Sequence, residues 1–370
     1  MCGAGIVSRF RGASSIVVNA EFEVRFAVFC VTLHERESVE IQSSRYPNPS
    51  LKRQADMSEK KNIVITGGAR GIGRAVARHL ALSGHRLFLI DIDTEELKYT
   101  ANSHIPGALT GQVNGTKAPS SIGHGVCDLR DPIAIRDTIK AAADFFGGRI
   151  DVLINNAGIA RAQFSEGRSM ADPSVLDEWR AYMETNLTAP FVVSQACIPY
   201  MKIEDDGRKE HVDSVIRPEA ALAASDILTE KDRSVFSGRA KQGPCIINIA
   251  SFRARQSEPN CEGYAASKGG VLGLTQAMAI SGAQWGIRCN AILPGYIFVK
   301  HECKEADEIE RHEWWAKGEP AERHRKHPTG RIGYADDIAE TIEWLMGAGF
   351  VTGQEIVVDG GMSKIKHVDA

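Results

Sequence analysis

"NIVITGGARGIGRAVARHLALSG" occupies residues 62–84, and its reading decides the fold. The run 62–66 is apolar and β-branched, as a short buried strand requires. Residues 73–84 follow with helical periodicity and end on a glycine stop. Between them lies "TGGARGIG" (66–73). Gly67 permits a tight turn, Gly71 lets the backbone approach a pyrophosphate, and Gly73 allows close helix–strand packing. Phosphates would sit at the helix N-terminus beside Arg70, Gly71 and Ile72, where free N–H groups and the helix dipole favour negative charge. A glycine triplet alone is also a plain turn. The next apolar run, "RLFLID", ends at Asp91, eighteen residues past Gly73. A carboxylate at that distance reaches the ribose hydroxyls of a dinucleotide.

The same alternation continues outward. "DTEELKYTA" reads as a short helix, and 102–123 as a loop rich in Gly, Ser and Pro. "DPIAIRDTIKAAADFFG" opens with Asp131 as cap and Pro132 at the first helical position. "HGVCD", "DVLINNAG", "CIINIAS", "RCNAIL" and "EIVVDGG" are further runs of strand length. Near-continuous apolar strands alternating with helices predict an α/β fold. It is a single Rossmann-type doubly wound parallel sheet of about seven strands, with helices on both faces. One domain is expected over 57–370, preceded by an extension, 1–56, expected to be poorly ordered and dispensable. The charged stretch 203–243 breaks the rhythm and reads as a surface insertion, too polar for its own core. Residues 300–330, with Trp314 and Trp315, read as an amphipathic lid helix.

Composition narrows the function. The chain has 370 residues, 43% hydrophobic and 25% charged, with net charge −3, an ordinary globular profile. Neither sign dominates, so no nucleic-acid partner is expected. No run approaches the ~18 apolar residues of a spanning helix, so no membrane partner is expected either. The eight cysteines are scattered without a CxxC pair, which suits free thiols in a reducing compartment and suggests no metal site. The cytoplasm is the expected location. Arg9, Arg11 and the early serines would suit a mitochondrial presequence, and Glu21 and Glu23 oppose one.

A second stretch carries chemistry. "EGYAASKGG" (262–270) sets Tyr264 and Lys268 four residues apart. On a helix they share one face, about 5–6 Å apart at Cβ, and the small residues around them would let something large approach. Taken alone, the pair is equally an exposed Tyr and Lys. Its companions are "CDLRD" (127–131), "NNAG" (155–158), "TNL" (185–187), "IAS" ending at Ser251, and "PG" (294–295). In this order, with thirteen residues from Ser251 to Tyr264, the chain resembles the short-chain dehydrogenase/reductase family over about 60–362. The resemblance is to the single-domain subgroup marked by TGxxxGxG and YxxxK, including 3-oxoacyl-carrier-protein reductases and sugar or polyol dehydrogenases.

The resemblance implies an NAD(P)-dependent oxidoreductase acting on a secondary alcohol or ketone. Tyr264 would be its acid/base, Ser251 would bond the substrate oxygen, and Asn186 would join a water relay to Lys268. A free tyrosine has pKa near 10, and bringing it near neutrality takes roughly 4 kcal/mol. Lys268 and an oxidised nicotinamide would supply this, Lys268 also holding the ribose. Asp128 and Leu129 would flank the adenine. The backbone of Asn155, Ala157 and Gly158 would line the cofactor, and Pro294, Gly295 and Ile297 would meet the nicotinamide amide. Two positions depart from the pattern: Val299 stands where a threonine is frequent, and Ala250 where a serine is. Asp91 favours NAD over NADP, against Arg70, which could hold a 2′-phosphate. A homodimer or homotetramer is expected.

Two other readings compete. One is a catalytically silent dinucleotide-binding regulator, which the intact Asn186, Ser251, Tyr264 and Lys268 oppose. The other is a sugar-nucleotide epimerase or dehydratase, whose glycine spacing, TGxxGxxG, differs. Arg253 and Arg255 suit a polar or anionic substrate, or a solvated loop. Polyol or sugar, 3-oxoacyl thioester and small ketone all remain open.

Overall fold

The computed structural model describes residues 60–112, 121–202, 243–309 and 319–365. The extension 1–56, nearly all of the insertion 203–243, and Trp314 and Trp315 lie outside them. Seven parallel strands form one sheet in the order β3-β2-β1-β4-β5-β6-β9. They are β1 (Asn62–Thr66), β2 (Arg86–Asp91), β3 (Ile122–Val126), β4 (Val152–Asn155), β5 (Cys245–Ile249), β6 (Arg288–Pro294) and β9 (Glu355–Val358). A separate two-stranded ribbon pairs β7 (Ile297–Phe298) with β8 (Gly333–Tyr334). The doubly wound α/β fold stands as expected.

Successive strand residues point to opposite faces, and both faces are covered. On one, Ile63, Ile65, Leu87, Leu89 and Ile154 pack against α1 (Gly71–Leu82) and the C-terminal helix α10 (Ala335–Gly347). On the other, Val64, Phe88 and Leu153 meet α4 (Pro132–Phe146) and α6 (Ala189–Met201). This two-sided burial is why the strands read as continuous apolar runs rather than alternating ones. The sheet order reverses between β1 and β4, and ligands of such sheets bind outside the carboxyl ends at that point.

Two expectations are corrected. The presumed loop after residue 102 begins as helix: α2 (Thr94–Tyr99) runs through a π turn (Thr100–His104) into α3 (Ile105–Gln112). Leu97, Ala101 and Ile105, four residues apart, all lie in the core. That stripe keeps the chain helical through Pro106, although a proline there withholds one backbone N–H from the helix.

The expected lid is not one amphipathic helix over the described residues but two short ones, α8 (Lys304–Ile309) and α9 (Ala321–Arg325). Its start is an anchor. Glu302 is 1% exposed and meets Arg74 at 3.2 Å and Arg78 at 2.7 Å, both from α1. Asp307 adds a 2.6 Å pair with Arg74 and accepts from the Tyr99 hydroxyl. Burial alone would raise the Glu302 pKa. Hydrogen bonds from His301 and Arg78, with the charges of Arg78 and Arg74, hold it at about 2.

Removing one partner of a buried ion pair strands the other. Glu302→Gln should therefore lose about 3 kcal/mol or more in denaturant unfolding at pH 7. Because the folded pKa is depressed, this contribution is present above the ordinary carboxylate range. It is lost as pH falls toward 2. A change below ~1 kcal/mol at pH 7 would show that the anchor does not stabilise the fold.

Candidate active site

Four strand ends meet at the reversal of sheet order. Gly67, after β1, has φ +66, and its N–H donates to the Ile90 carbonyl at 2.7 Å. A Cβ on Gly73 would lie 1.9 Å from the Gly67 carbonyl oxygen, so only glycine fits. The turn is stitched to β4 by residues whose role the sequence alone did not disclose. The Thr66 hydroxyl accepts from the N–H groups of Asn156 and Ala157, both at 3.1 Å. The Asn156 amide donates to the carbonyls of Thr66 and Gly67 at 3.1 and 3.0 Å.

The first turn of α1 has no side-chain cap, which leaves amides there for an anion. The Gly71 N–H, expected to face a pyrophosphate, instead donates to the Glu302 carbonyl at 2.8 Å. The Gly71 N–H is thus already engaged by the protein itself. Val299 packs over Gly71: a Cβ added there would lie 4.0 Å from Val299 Cβ.

Asp91 ends β2 with its carboxylate accepting from the Ala69 and Asp93 N–H groups at 3.0 and 3.1 Å. Arg70 does not stand free. Its guanidinium lies 3.1 Å from Asp93 and 3.1 Å from Glu96. Asp128 follows β3 with its carboxylate held by Arg130 at 2.6 Å, which keeps its pKa below the usual value. Leu129 packs on the α4–α6 side of the core. Asn155 turns its amide away from the crevice, to Asn248 on β5 at 2.8 Å and Ser194 on α6 at 3.0 Å. Asn248 in turn donates to Thr275 at 2.9 Å. A polar residue in mid-strand was the available signal for this floor. Pro294 ends β6, the Gly295 N–H donates to the Val358 carbonyl at 2.9 Å, and Ile297 pairs with Gly333 in the small ribbon.

Deeper in, Tyr264 and Lys268 project from α7 (Glu262–Gly282). The Lys268 ammonium is 5.9 Å from the centre of the Tyr264 ring and donates to the Ile249 carbonyl at 2.8 Å. Its residue is 5% exposed, and burial lowers its pKa to about 8. Asn186 lies in a single π turn (Glu184–Thr188) between α5 (Leu176–Met183) and α6. Its Oδ1 accepts from the Ile159 N–H at 2.7 Å, and its Nδ2 donates to the Ser267 hydroxyl at 3.2 Å. Such π turns recur at functional sites because they re-aim one side chain. A Cβ on Gly158 would stand 2.9 Å from Asn186 Oδ1 and 3.5 Å from Lys268 Nζ, so Gly158 closes the group.

Ser251 follows β5, and its hydroxyl accepts from the Arg253 N–H at 3.2 Å. Burial pushes the Tyr264 pKa up, while a hydrogen bond from Ser251 and the charge of Arg253 oppose it. Without a bound dinucleotide burial outweighs these, and the lowering expected of Lys268 is one it shares with an oxidised nicotinamide. The small residues of α7 also have a second cause. Gly263 and Gly270 make room for Tyr182 and Leu187, with an added Cβ meeting those side chains at 2.5 and 2.6 Å.

Comparison with known proteins fits this arrangement. Residues 61–216 match the short chain dehydrogenase family, and residues 233–363 match the enoyl-(acyl carrier protein) reductase description. An uncharacterised oxidoreductase of Thermotoga maritima is 30% identical over 316 residues, which cover 83% of this chain and 97% of the relative. This chain belongs to the short-chain dehydrogenase/reductase family. Gluconate 5-dehydrogenase of Gluconobacter oxydans is 28% identical over 302 residues, covering 81% of this chain and 93% of that enzyme. A solved apo SCOR enzyme from Clostridium thermocellum is 27% identical with TM-score 0.57, covering 84% of this chain and 96% of its own. As a short-chain dehydrogenase/reductase, the protein is an oxidoreductase acting on CH–OH groups with an NAD(P) cofactor. The glycine turn, the uncapped first turn of α1 and the Asp91 carboxylate fit that dinucleotide.

Proposed function

We propose that the protein oxidises a secondary alcohol, or reduces the corresponding ketone, with NAD, and that Tyr264, Ser251, Lys268 and Asn186 carry the proton chemistry. The observation behind this is the convergence of three separate elements on Lys268 and Tyr264. The α5–α6 π turn brings Asn186 and α7 brings Lys268 against Gly158, while the end of β5 supplies the Ile249 carbonyl to Lys268 and the Ser251 hydroxyl to Tyr264. When bound, the nicotinamide supplies the hydride acceptor or donor.

The protein handles the proton. Ser251 bonds the substrate oxygen and steadies its developing charge, and Tyr264 takes the proton from that oxygen, or returns it in reduction. Lys268, still mostly charged at pH 7 with its pKa near 8, favours the phenolate and holds the ribose. Asn186 holds the backbone of Ile159 and so keeps the path to Lys268 open. A silent regulator would have no need of this buried ammonium, whose charge folding must desolvate.

Tyr264→Phe should lower turnover by at least ~10²-fold, the low end for a positioned proton donor, with dinucleotide binding retained. Steady-state kinetics on a panel of alcohols and ketones, read by nicotinamide absorbance, checks this. Near-normal turnover in the variant would refute the role of Tyr264.

NAD is favoured over NADP by the surroundings of the ribose site. Asp91, Asp93 and Glu96 put three carboxylates there, and Arg70 is already paired with two of them. A 2′-phosphate would face like charge worth about 4 kcal/mol per pair at 4 Å and an effective dielectric of 20. Fluorescence titration should show NADH bound at least ~10-fold more tightly than NADPH, a factor of ten being about 1.4 kcal/mol. Asp91→Ala should narrow that gap. Tighter binding of NADPH by the unmodified protein would contradict the assignment.

A further inference from the structure

The ring of Tyr264 has an aromatic neighbour on another helix. Tyr182, from α5, is 1% exposed, and its ring centre lies 6.3 Å from that of Tyr264 with the two planes at 81°. Nearly perpendicular pairs at this distance are favoured because the positive edge of one ring meets the negative face of the other. Tyr182 is itself held on several sides. The Phe164 ring centre lies 6.4 Å from its own. It fills a notch in α7 that exists because residue 263 has no side chain: a Cβ on Gly263 would meet Tyr182 Cδ2 at 2.5 Å. Its hydroxyl donates to the Arg161 carbonyl at 2.8 Å. Burial pushes the Tyr182 pKa up, so this hydroxyl keeps its proton at neutral pH.

The hydroxyl fixes more than its own ring. Tyr182 stands four residues before Asn186, whose amide accepts from the Ile159 N–H at 2.7 Å and donates to the Ile159 carbonyl at 3.3 Å. Two side chains of one helical segment therefore pin the loop after β4, at Ile159 and at Arg161. Space filling alone does not call for a tyrosine here. An aliphatic residue would fill an apolar notch without a buried hydroxyl to satisfy. Proton transfer does call for a fixed ring at Tyr264. The reacting oxygen sits at the far end of that side chain, where a small rotation moves it most, and a misplacement of about 1 Å can cost about 10²-fold in rate.

We propose that Tyr182 is a positioning residue for the proton-transfer step. It grips the ring of Tyr264 and so keeps the phenolic oxygen aligned with Ser251 and the substrate oxygen. The proposal rests on Tyr264 as the acid/base, and Tyr182 acts through that ring rather than on substrate or dinucleotide.

The test compares Tyr182→Leu, which fills the notch without a ring, with Tyr182→Phe, which keeps the ring. NAD-linked oxidation of cyclohexanol, 3-hydroxybutyrate and gluconate is followed in ordinary and heavy water, with rates counted per NADH-binding site. Tyr182→Leu should lower kcat at least ~10-fold with KM and NADH affinity within about 2-fold, because alignment rather than binding is lost. The solvent isotope effect on kcat should grow as the proton step slows relative to the others. Tyr182→Phe should bring kcat back to within about 3-fold of the unmodified protein, since the ring pair remains. Gly263→Ala, which drives a methyl group into the Tyr182 ring, should reproduce the Tyr182→Leu result and replaces it if that variant does not fold. A merely structural role would reduce the number of binding sites while leaving kcat per site and the isotope effect unmoved. That outcome, or equal losses in Tyr182→Leu and Tyr182→Phe, overturns the proposal. Near-normal turnover in Tyr264→Phe refutes the acid/base reading instead, whatever Tyr182 does. Ring motion is measured without turnover, by NMR of tyrosine-labelled protein loaded with NADH, with Tyr264→Phe identifying the signal. Flipping of the Tyr264 ring at least ~10-fold faster in Tyr182→Leu sustains the grip, and an unchanged rate overturns it.

Discussion

The ammonium of Lys268 is taken out of water with the Ile249 carbonyl as its acceptor, and much of the site follows from accommodating it. Burying a charged amine is costly unless hydrogen bonds and nearby polar groups offset the loss of hydration. Here β5 supplies a carbonyl, the π turn supplies Asn186, and Gly158 supplies space by having no side chain. The cost appears as a pKa lowered to about 8. Strongly shifted groups of this kind cluster at functional sites more than at purely structural ones.

Packing and chemistry share the same residues on α7. Tyr182 lies against Gly263 on one side and against the Tyr264 ring on the other, and its hydroxyl reaches the loop at Arg161. One buried side chain thus contacts both the Tyr264 ring and the loop at Arg161. On the far side of the crevice, Glu302 does a comparable task for the glycine turn. Its carboxylate is held by α1 while its carbonyl accepts from Gly71, so the segment after β7 is part of the wall rather than a free flap.

Much of this was legible in the sequence because it rests on local rules. The strand–glycine–helix signature needs only short-range sterics, and the buried parallel sheet shows as continuous apolar strands. The ordered motifs located Asn186, Ser251, Tyr264 and Lys268, and the structure groups them. What the sequence hid is set by long-range pairing. Nothing near Glu302 in the chain announces partners at Arg74 and Arg78, more than two hundred residues earlier, and Gly71 is a phosphate contact only if that carbonyl stays away. Arg70 read as a free cation because Asp93 and Glu96 face it only once α2 folds back. The backbone of Asn155 read as a cofactor contact; the tie of its side chain to Asn248 stayed hidden, because strand neighbours cannot be known from one strand. The helix through Pro106 was missed for a related reason: composition suggested a loop, and the burial of Leu97, Ala101 and Ile105 overrode it.

The Lys268 ammonium is central to the site, and its titration can be followed directly. NMR of protein labelled at the lysine side chains, with Lys268→Met identifying the signal, should give a midpoint near 8 in the protein without added dinucleotide. The folded pKa lies below the ordinary lysine value. The unfolded chain therefore binds the extra proton between the two values, and this group makes the fold more stable as pH rises from about 8 toward 10.5. A midpoint near 10.5 would mean that the ammonium is solvated. It would contradict both the buried site and the proton chemistry built on it.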